Sequence, residues 1–194
     1  MIQRGTDRLD ILRCDGDRLV LLALLRDACQ RHDTEIHGYV LMGTHFHLLC
    51  TPRSTTALEK TMQLVGTRYA QYFNRRYTRI GTLFQGRYGV AFVDDESYWI
   101  TCLRYIELNP VRAGMVADPE EYRWSSCRYH AYGAEDTLVT PHQQYVDLGA
   151  TPAARQKVWQ SLCRASLTPE ELNSIRFAAF EDRVLRRQGM SEGS

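Results

Sequence analysis

No apolar run in the 194 residues approaches the ~20 that a membrane-spanning helix needs. There is no low-complexity tract, and Met1-Ile2-Gln3-Arg4-Gly5 shows no charged-then-apolar leader. These absences set the expectation of a soluble intracellular protein with no membrane partner. Six cysteines, at positions 14, 29, 50, 102, 127 and 163, are scattered without a CxxC pair, so neither a zinc-ligand spacing nor a disulfide framework is visible. They read as reduced structural residues. Acidic residues are missing altogether from Lys60 to Val93, a stretch carrying Lys60, Arg68, Arg75, Arg76, Arg79 and Arg87. The formal net charge is only +1, so these six cations leave −5 on the rest of the chain. Such polarisation is the footprint of a polyanion partner, which a uniform +1 would not be.

With 44% hydrophobic residues the chain can bury one good core. Leu19, Leu22, Ala23 and Arg26 fall at helical spacing, which predicts a helix over about Asp17 to Arg31. Two short apolar runs, Ile36 to Met42 and Phe46 to Thr51, are separated by Gly43-Thr44 and read as a β-hairpin. Thr55 or Thr56 can cap a long helix from about Ala57 to Tyr77. Gly81 and Gly86 then break the pattern before a further strand at Tyr88 to Val93. Asp94-Asp95-Glu96-Ser97 offers N-cap side chains and negative charge for a helix that should reach Asn109 and stop at Pro110. Residues Pro110 to Gly133 are turn-rich. Two terminal helices are expected, Pro152 to Cys163 and Pro169 to about Leu185, each with proline at its first position. With an incomplete strand at residues 1 to 4, the order is that of an α+β sheet with packed helices. The division expected is a domain over residues 1–133 and a C-terminal helical extension over 134–194.

Two groups of residues carry chemistry. His45 and His47 alternate along a predicted strand, so their imidazoles face the same way about 7 Å apart along the backbone and can point at one ion. Taken alone, this pattern fits packing as well as it fits a metal site. Tyr105 and Asn109, four apart on a helix, share one face and present a phenol beside an amide. Taken alone, they also read as a core aromatic and a helix-terminal residue before proline. Glu107 lies two positions round that helix from Tyr105 and should face elsewhere.

The two groups occur in order, joined by Arg68-Tyr69-Ala70-Gln71-Tyr72-Phe73-Asn74-Arg75-Arg76-Tyr77 and by Gly81-Thr82-Leu83-Phe84-Gln85-Gly86-Arg87-Tyr88. Gly38-Tyr39-Val40-Leu41-Met42, His45-Phe46-His47-Leu48-Leu49, Phe84-Gln85-Gly86-Arg87-Tyr88 and Arg104-Tyr105-Ile106-Glu107-Leu108-Asn109-Pro110-Val111-Arg112-Ala113-Gly114 together closely resemble the REP-associated tyrosine transposases of the HUH class. The resemblance runs over about residues 2 to 130 and more loosely over the tail around Ile175-Arg176.

That resemblance implies a ferredoxin-like antiparallel sheet, a divalent ion (Mg²⁺ or Mn²⁺) held by His45, His47 and Asn109, and Tyr105 as the nucleophile. The implied activity is cutting and rejoining single-stranded DNA at REP-like hairpins through a 5′-phosphotyrosine link, in the bacterial cytoplasm near the nucleoid, with homodimerisation left open. A domesticated hairpin binder that does not cut is the alternative. The wider class often has glutamine where Asn109 stands, and asparagine reaches less far. The family's first strand also begins earlier than Met1, so the sheet is expected to be incomplete at its start.

For the strand itself, Arg68, Arg75, Arg76 and Arg87, interleaved with Tyr69, Tyr72 and Tyr88, offer phosphate contacts and stacking platforms. The same residues would serve a solvated helix face with core aromatics. Arg4-Gly5-Thr6 could set a cation and backbone groups against a hairpin, or form a plain surface turn.

Overall fold

The hairpin places everything else. In a computed structural model of the chain, which describes residues 1–93, 96–173, 175 and 184–185, strand β2 (Thr34–Leu41) pairs antiparallel with β3 (His45–Pro52). The register runs from Thr34 opposite Pro52 to Leu41 opposite Phe46, with a bulge between Ile36 and Gly38. The strands begin and end within one or two residues of the apolar runs, because β2 is buried along nearly its whole length and β3 through Phe46 to Leu49. Strand β1 (Ile2–Arg4) pairs antiparallel with the other side of β3, setting Ile2 against His47 and Arg4 against His45. Outside β1 runs the segment 83–89. Ile2 and Gly89 exchange both backbone hydrogen bonds at 2.9 Å, Gln85 N donates to Arg4 O, and Thr6 N donates to Leu83 O. The strand expected at Tyr88 to Val93 is thus displaced: its pairing to β1 lies mostly before it, and only β4 (Phe92–Val93) is regular there. Counting the outer segment, the spatial order is that segment, β1, β3, β2, a ferredoxin-like arrangement.

Because neighbours across a sheet point the same way, the two faces separate cleanly. Ile36, Tyr39, Leu41, Phe46 and Leu48 share one face, covered by helices α1 (Asp15–His32) and α2 (Ala57–Arg76), with Thr34 and Thr61 hydroxyls 3.0 Å apart where α2 meets β2. His45, His47, Leu49 and Gly38 share the other, covered by helix α3 (Glu96–Glu107). A side chain at Gly38 would collide with Leu103 of α3, so the glycine lets that helix sit against the sheet.

Beyond α3 the backbone departs from expectation. Leu108 leaves helical geometry and a further turn, α4 (Asn109–Arg112), follows with Pro110 inside its first turn, where the missing N–H costs nothing. The helix that carries Tyr105 thus ends at Glu107, two residues before the expected Asn109, and Pro110 opens a separate short helix. Helices α5 (Cys127–Tyr132), α6 (Gln143–Val146) and α7 (Pro152–Arg164) complete the layer behind α3. The Thr151 hydroxyl accepts from Ala154 N at 3.2 Å to cap α7. Tyr145, Trp159 and Leu167 belong to the same buried core as the sheet, so packing is continuous across position 133. Residues 169–173 are helical as expected, but Val184–Leu185 form a strand, β5, parallel to β4, where the helix was expected to end. The acidic cap proposed at Asp94 to Ser97 falls at residues whose side chains lie outside those described. No helix among the described residues is long and apolar enough to cross a membrane.

Candidate active site

His45 is the first residue of β3, directly after the turn, and the Thr44 hydroxyl lies 3.0 Å from its Nδ1. The His45 and His47 rings are 5.2 Å apart, and Tyr105 on α3 stands edge-on to His47 at 5.8 Å between centroids. The two groups of residues that are far apart in sequence therefore meet. Arg112, one turn beyond Asn109, lays its guanidinium over the Tyr105 ring at 3.9 Å and donates to the Tyr105 carbonyl at 3.0 Å. The bend at Leu108 precedes the turn that carries Arg112 onto the Tyr105 side of the helix.

Burial sets the electrostatics. Desolvation, reinforced by the nearby Arg4, pushes His45 down to about 4. His47 is held well below the usual histidine range, first by burial and then by His45, the amino terminus, Arg4 and Arg112. Both imidazoles are therefore neutral at pH 7, the form in which histidine ligates a metal. Among the described residues no hydrogen-bond partner engages the side chains of His47 or Asn109, or the Tyr105 hydroxyl. Buried polar groups of this kind normally find partners, so the meeting of His47 and Tyr105 leaves donor atoms for something outside the chain. Two neutral imidazole nitrogens and one amide oxygen form a donor set that suits a divalent ion.

The structure divides the other candidates. Arg4 is exposed and shares a face with His45, and Arg87, two residues before Gly89, runs alongside it on the outer segment. Tyr88 is half-buried next to it. The α2 residues lie on the opposite side of the sheet. Arg68 is paired with Asp27 at 3.0 Å, Arg75 is exposed, and Arg76 lies 3.5 Å from the buried Asp17, to which Tyr72 also donates at 3.0 Å. Tyr69 is wholly buried and bonds the Ile11 carbonyl, so its ring is not available for stacking on a base. Its place in the apolar stripe of α2, with Val65 and Phe73, was the signal for that.

The residues 2–109 match the family described as Transposase IS200 like. The chain belongs to the IS200-like transposases. No curated protein sequence matches it. Among solved structures, one described as a REP-associated tyrosine transposase bound to a REP hairpin is similar to this transposase, with a TM-score of 0.51 at 14% identity, covering 73% of this chain and 83% of the other. At that identity the likeness is one of fold.

Sequence reasoning gave three further residues of this transposase no part in the site. Arg112 was read only as part of a motif. Arg104 is buried and donates to the carbonyls of Leu162 (2.9 Å) and Ala165 (2.6 Å), clamping the end of α7. Glu107 is fully buried on the side of α3 away from Tyr105, as its position round the helix implies. It accepts from the Ser126 hydroxyl at 2.5 Å, from His130 Nδ1 at 2.7 Å and from Trp159 Nε1 at 2.9 Å. A carboxylate so engaged is not placed to take the Tyr105 proton.

Proposed function

We propose that this transposase cuts and rejoins single-stranded DNA at REP-like hairpins, with Tyr105 as nucleophile and a divalent ion, Mg²⁺ or Mn²⁺, held by His45, His47 and Asn109. The observation that carries the reading is the convergence of two neutral imidazoles and a phenol, with His47 in ring contact with both His45 and Tyr105 and, among the described residues, no hydrogen-bond partner for the His47 imidazole or the phenol. When bound, the ion supplies positive charge to a non-bridging oxygen of the scissile phosphate. The Tyr105 oxygen attacks phosphorus in line and the bond to the 3′ oxygen breaks, leaving a 5′-phosphotyrosine ester and a free 3′-hydroxyl. The proton lost by the phenol is matched by the one the departing 3′ oxygen gains. Attack by another 3′-hydroxyl reverses the step and restores the phenol, so no nucleotide cofactor is consumed.

The surrounding cations have separate roles in this reading. Arg112 fixes the orientation of the Tyr105 ring through its stacked guanidinium. Arg4 and Arg87, beside the histidines, hold the phosphates nearest the cut, while Arg68, Tyr72, Arg75 and Arg76 contact DNA that wraps onto the α2 side. The hairpin in the similar solved structure supports a hairpin as partner.

The test is incubation of the protein and its Tyr105→Phe variant with labelled hairpin oligonucleotides from the genomic neighbourhood, with Mn²⁺ or Mg²⁺, and denaturing electrophoresis. A metal-dependent covalent band absent from the variant is expected. Tight binding with no covalent product across several hairpins would instead identify a repeat binder that does not cut.

A further inference from the structure

Behind α3 three elements bring side chains to one point that no role described above uses. Glu107 ends α3, Cys127 begins α5 and Cys163 stands near the end of α7; a carboxylate oxygen and the two sulfurs all lie within 4.8 Å of one another. Nothing in the spacing of the cysteines pairs 127 with 163, because they meet only when α7 folds back onto α5. Cys127 and Cys163 also line the wall of a cavity of about 630 Å³ bounded by α4, α5 and α7.

We propose that Glu107, Cys127 and Cys163 form a second metal site, for a thiophilic divalent ion of the zinc class, distinct from the histidine site and fastening the C-terminal helices to the helix that carries Tyr105. Zinc–sulfur bonds of roughly 2.3 Å in tetrahedral geometry put two thiolates roughly 3.8 Å apart, which fits the observed cluster. The three donors to Glu107 occupy three of its roughly four lone-pair directions, leaving one on Oε2 for an ion. Ser126, His130 and Trp159 then hold that carboxylate in place, the arrangement expected around a ligating group. The fourth position opens toward the cavity, where a water can complete the shell. Two sulfurs and one oxygen favour zinc over magnesium or manganese, whereas the imidazole and amide set on the other face does not demand sulfur chemistry. Without an ion, the hydrogen bond with Cys163, burial and the charge of Glu107 all push the Cys127 thiol up. Binding therefore releases the thiol protons to solvent.

The experiment is a titration of the metal-stripped full chain with Co²⁺, followed by absorption. One equivalent should develop the near-ultraviolet thiolate-to-cobalt band together with visible bands of tetrahedral intensity, and Zn²⁺ should bleach both. The band should persist in a His45→Ala/His47→Ala variant, which separates this site from the proposed catalytic ion, and vanish in Cys163→Ser, whose side chain sits at the cavity wall and whose fold is checked by circular dichroism. In the wild-type chain Zn²⁺ should raise the melting temperature. Absence of a thiolate band from wild-type protein at stoichiometric Co²⁺, or its survival in folded Cys163→Ser, overturns the proposal; the wild-type titration decides even if the variant fails to fold.

Discussion

Helix α3 presents two histidine-containing clusters on opposite sides, and they are built to opposite rules. Toward the sheet, His45, His47 and Tyr105 converge, and among the described residues neither the His47 imidazole nor the phenol has a hydrogen-bond partner. Toward α5 and α7, Glu107 is wholly buried yet accepts hydrogen bonds from Ser126, His130 and Trp159, and Arg104 caps two carbonyls. Both are polar clusters in an apolar layer. Desolvation penalises each, but the second recovers most of that cost within the chain, the buried Nε2 of His130 excepted. The comparison teaches that burial of a polar residue does not tell function from structure. Whether its hydrogen bonds are closed does.

The sharpest way to break this contrast is Tyr105→Phe. Because the ring stays against His47 and Arg112 while only an unpartnered hydroxyl goes, covalent capture of DNA should disappear entirely with stability unchanged to within about 0.5 kcal/mol by urea unfolding. A large loss of stability would mean that the phenol is structural after all. The opposite pattern is expected of Glu107→Ala, which leaves the Trp159, Ser126 and His130 donors buried and unpaired. It should cost about 3–5 kcal/mol in the same measurement. A variant as stable as the wild type would remove the distinction between the two faces.

Arg112→Ala is predicted to act between these extremes. Loss of the stacked cation should cost about 0.5–2 kcal/mol, and slow adduct formation more than hairpin binding, when both are followed by gel assay. Equal losses in both would assign Arg112 to DNA affinity and not to orientation of the tyrosine.

The smallest effect is on pH dependence. His45 titrates at about 4 in the folded chain, below its ordinary 6.5, and His47 lower than ordinary as well. Between these values the unfolded chain binds more protons than the folded one, so stability is present above about 6.5 and declines as pH falls toward 4. A His45→Asn/His47→Asn variant should flatten that slope in denaturation curves measured from pH 7 to 5. If the slope persists unchanged, other groups carry it, His37 foremost, since burial depresses that histidine too.

How much was legible beforehand follows the range of the interactions. The helices over 15–32 and 57–76 and the hairpin were readable because amphipathic spacing and Gly43-Thr44 are local signals. The pairing of residues 83–89 with β1 was not, since an edge ladder interrupted by Gly86 leaves no alternation to read. Tyr69 and Tyr72 looked alike in the basic stretch. Only the packing of α2 on α1 separated a core ring bonded to Ile11 from a half-buried one bonded to Asp17.

The sequence by itself determined the strand that sets His45 and His47 on one side and the helical spacing that keeps Glu107 away from Tyr105, because the period of a strand or helix fixes which side chains share a face. It also determined membership of the family, through motifs in a fixed order. Tertiary structure alone decided that α3 crosses the histidine face of the sheet closely enough for Tyr105 to meet His47, that Arg112 returns past Pro110 to cover the ring, and that Cys127 meets Cys163 beside Glu107. The first and last of those contacts join residues dozens of positions apart, and all of them exist only because packed layers, a glycine at 38 and a bend at Leu108 leave room for them.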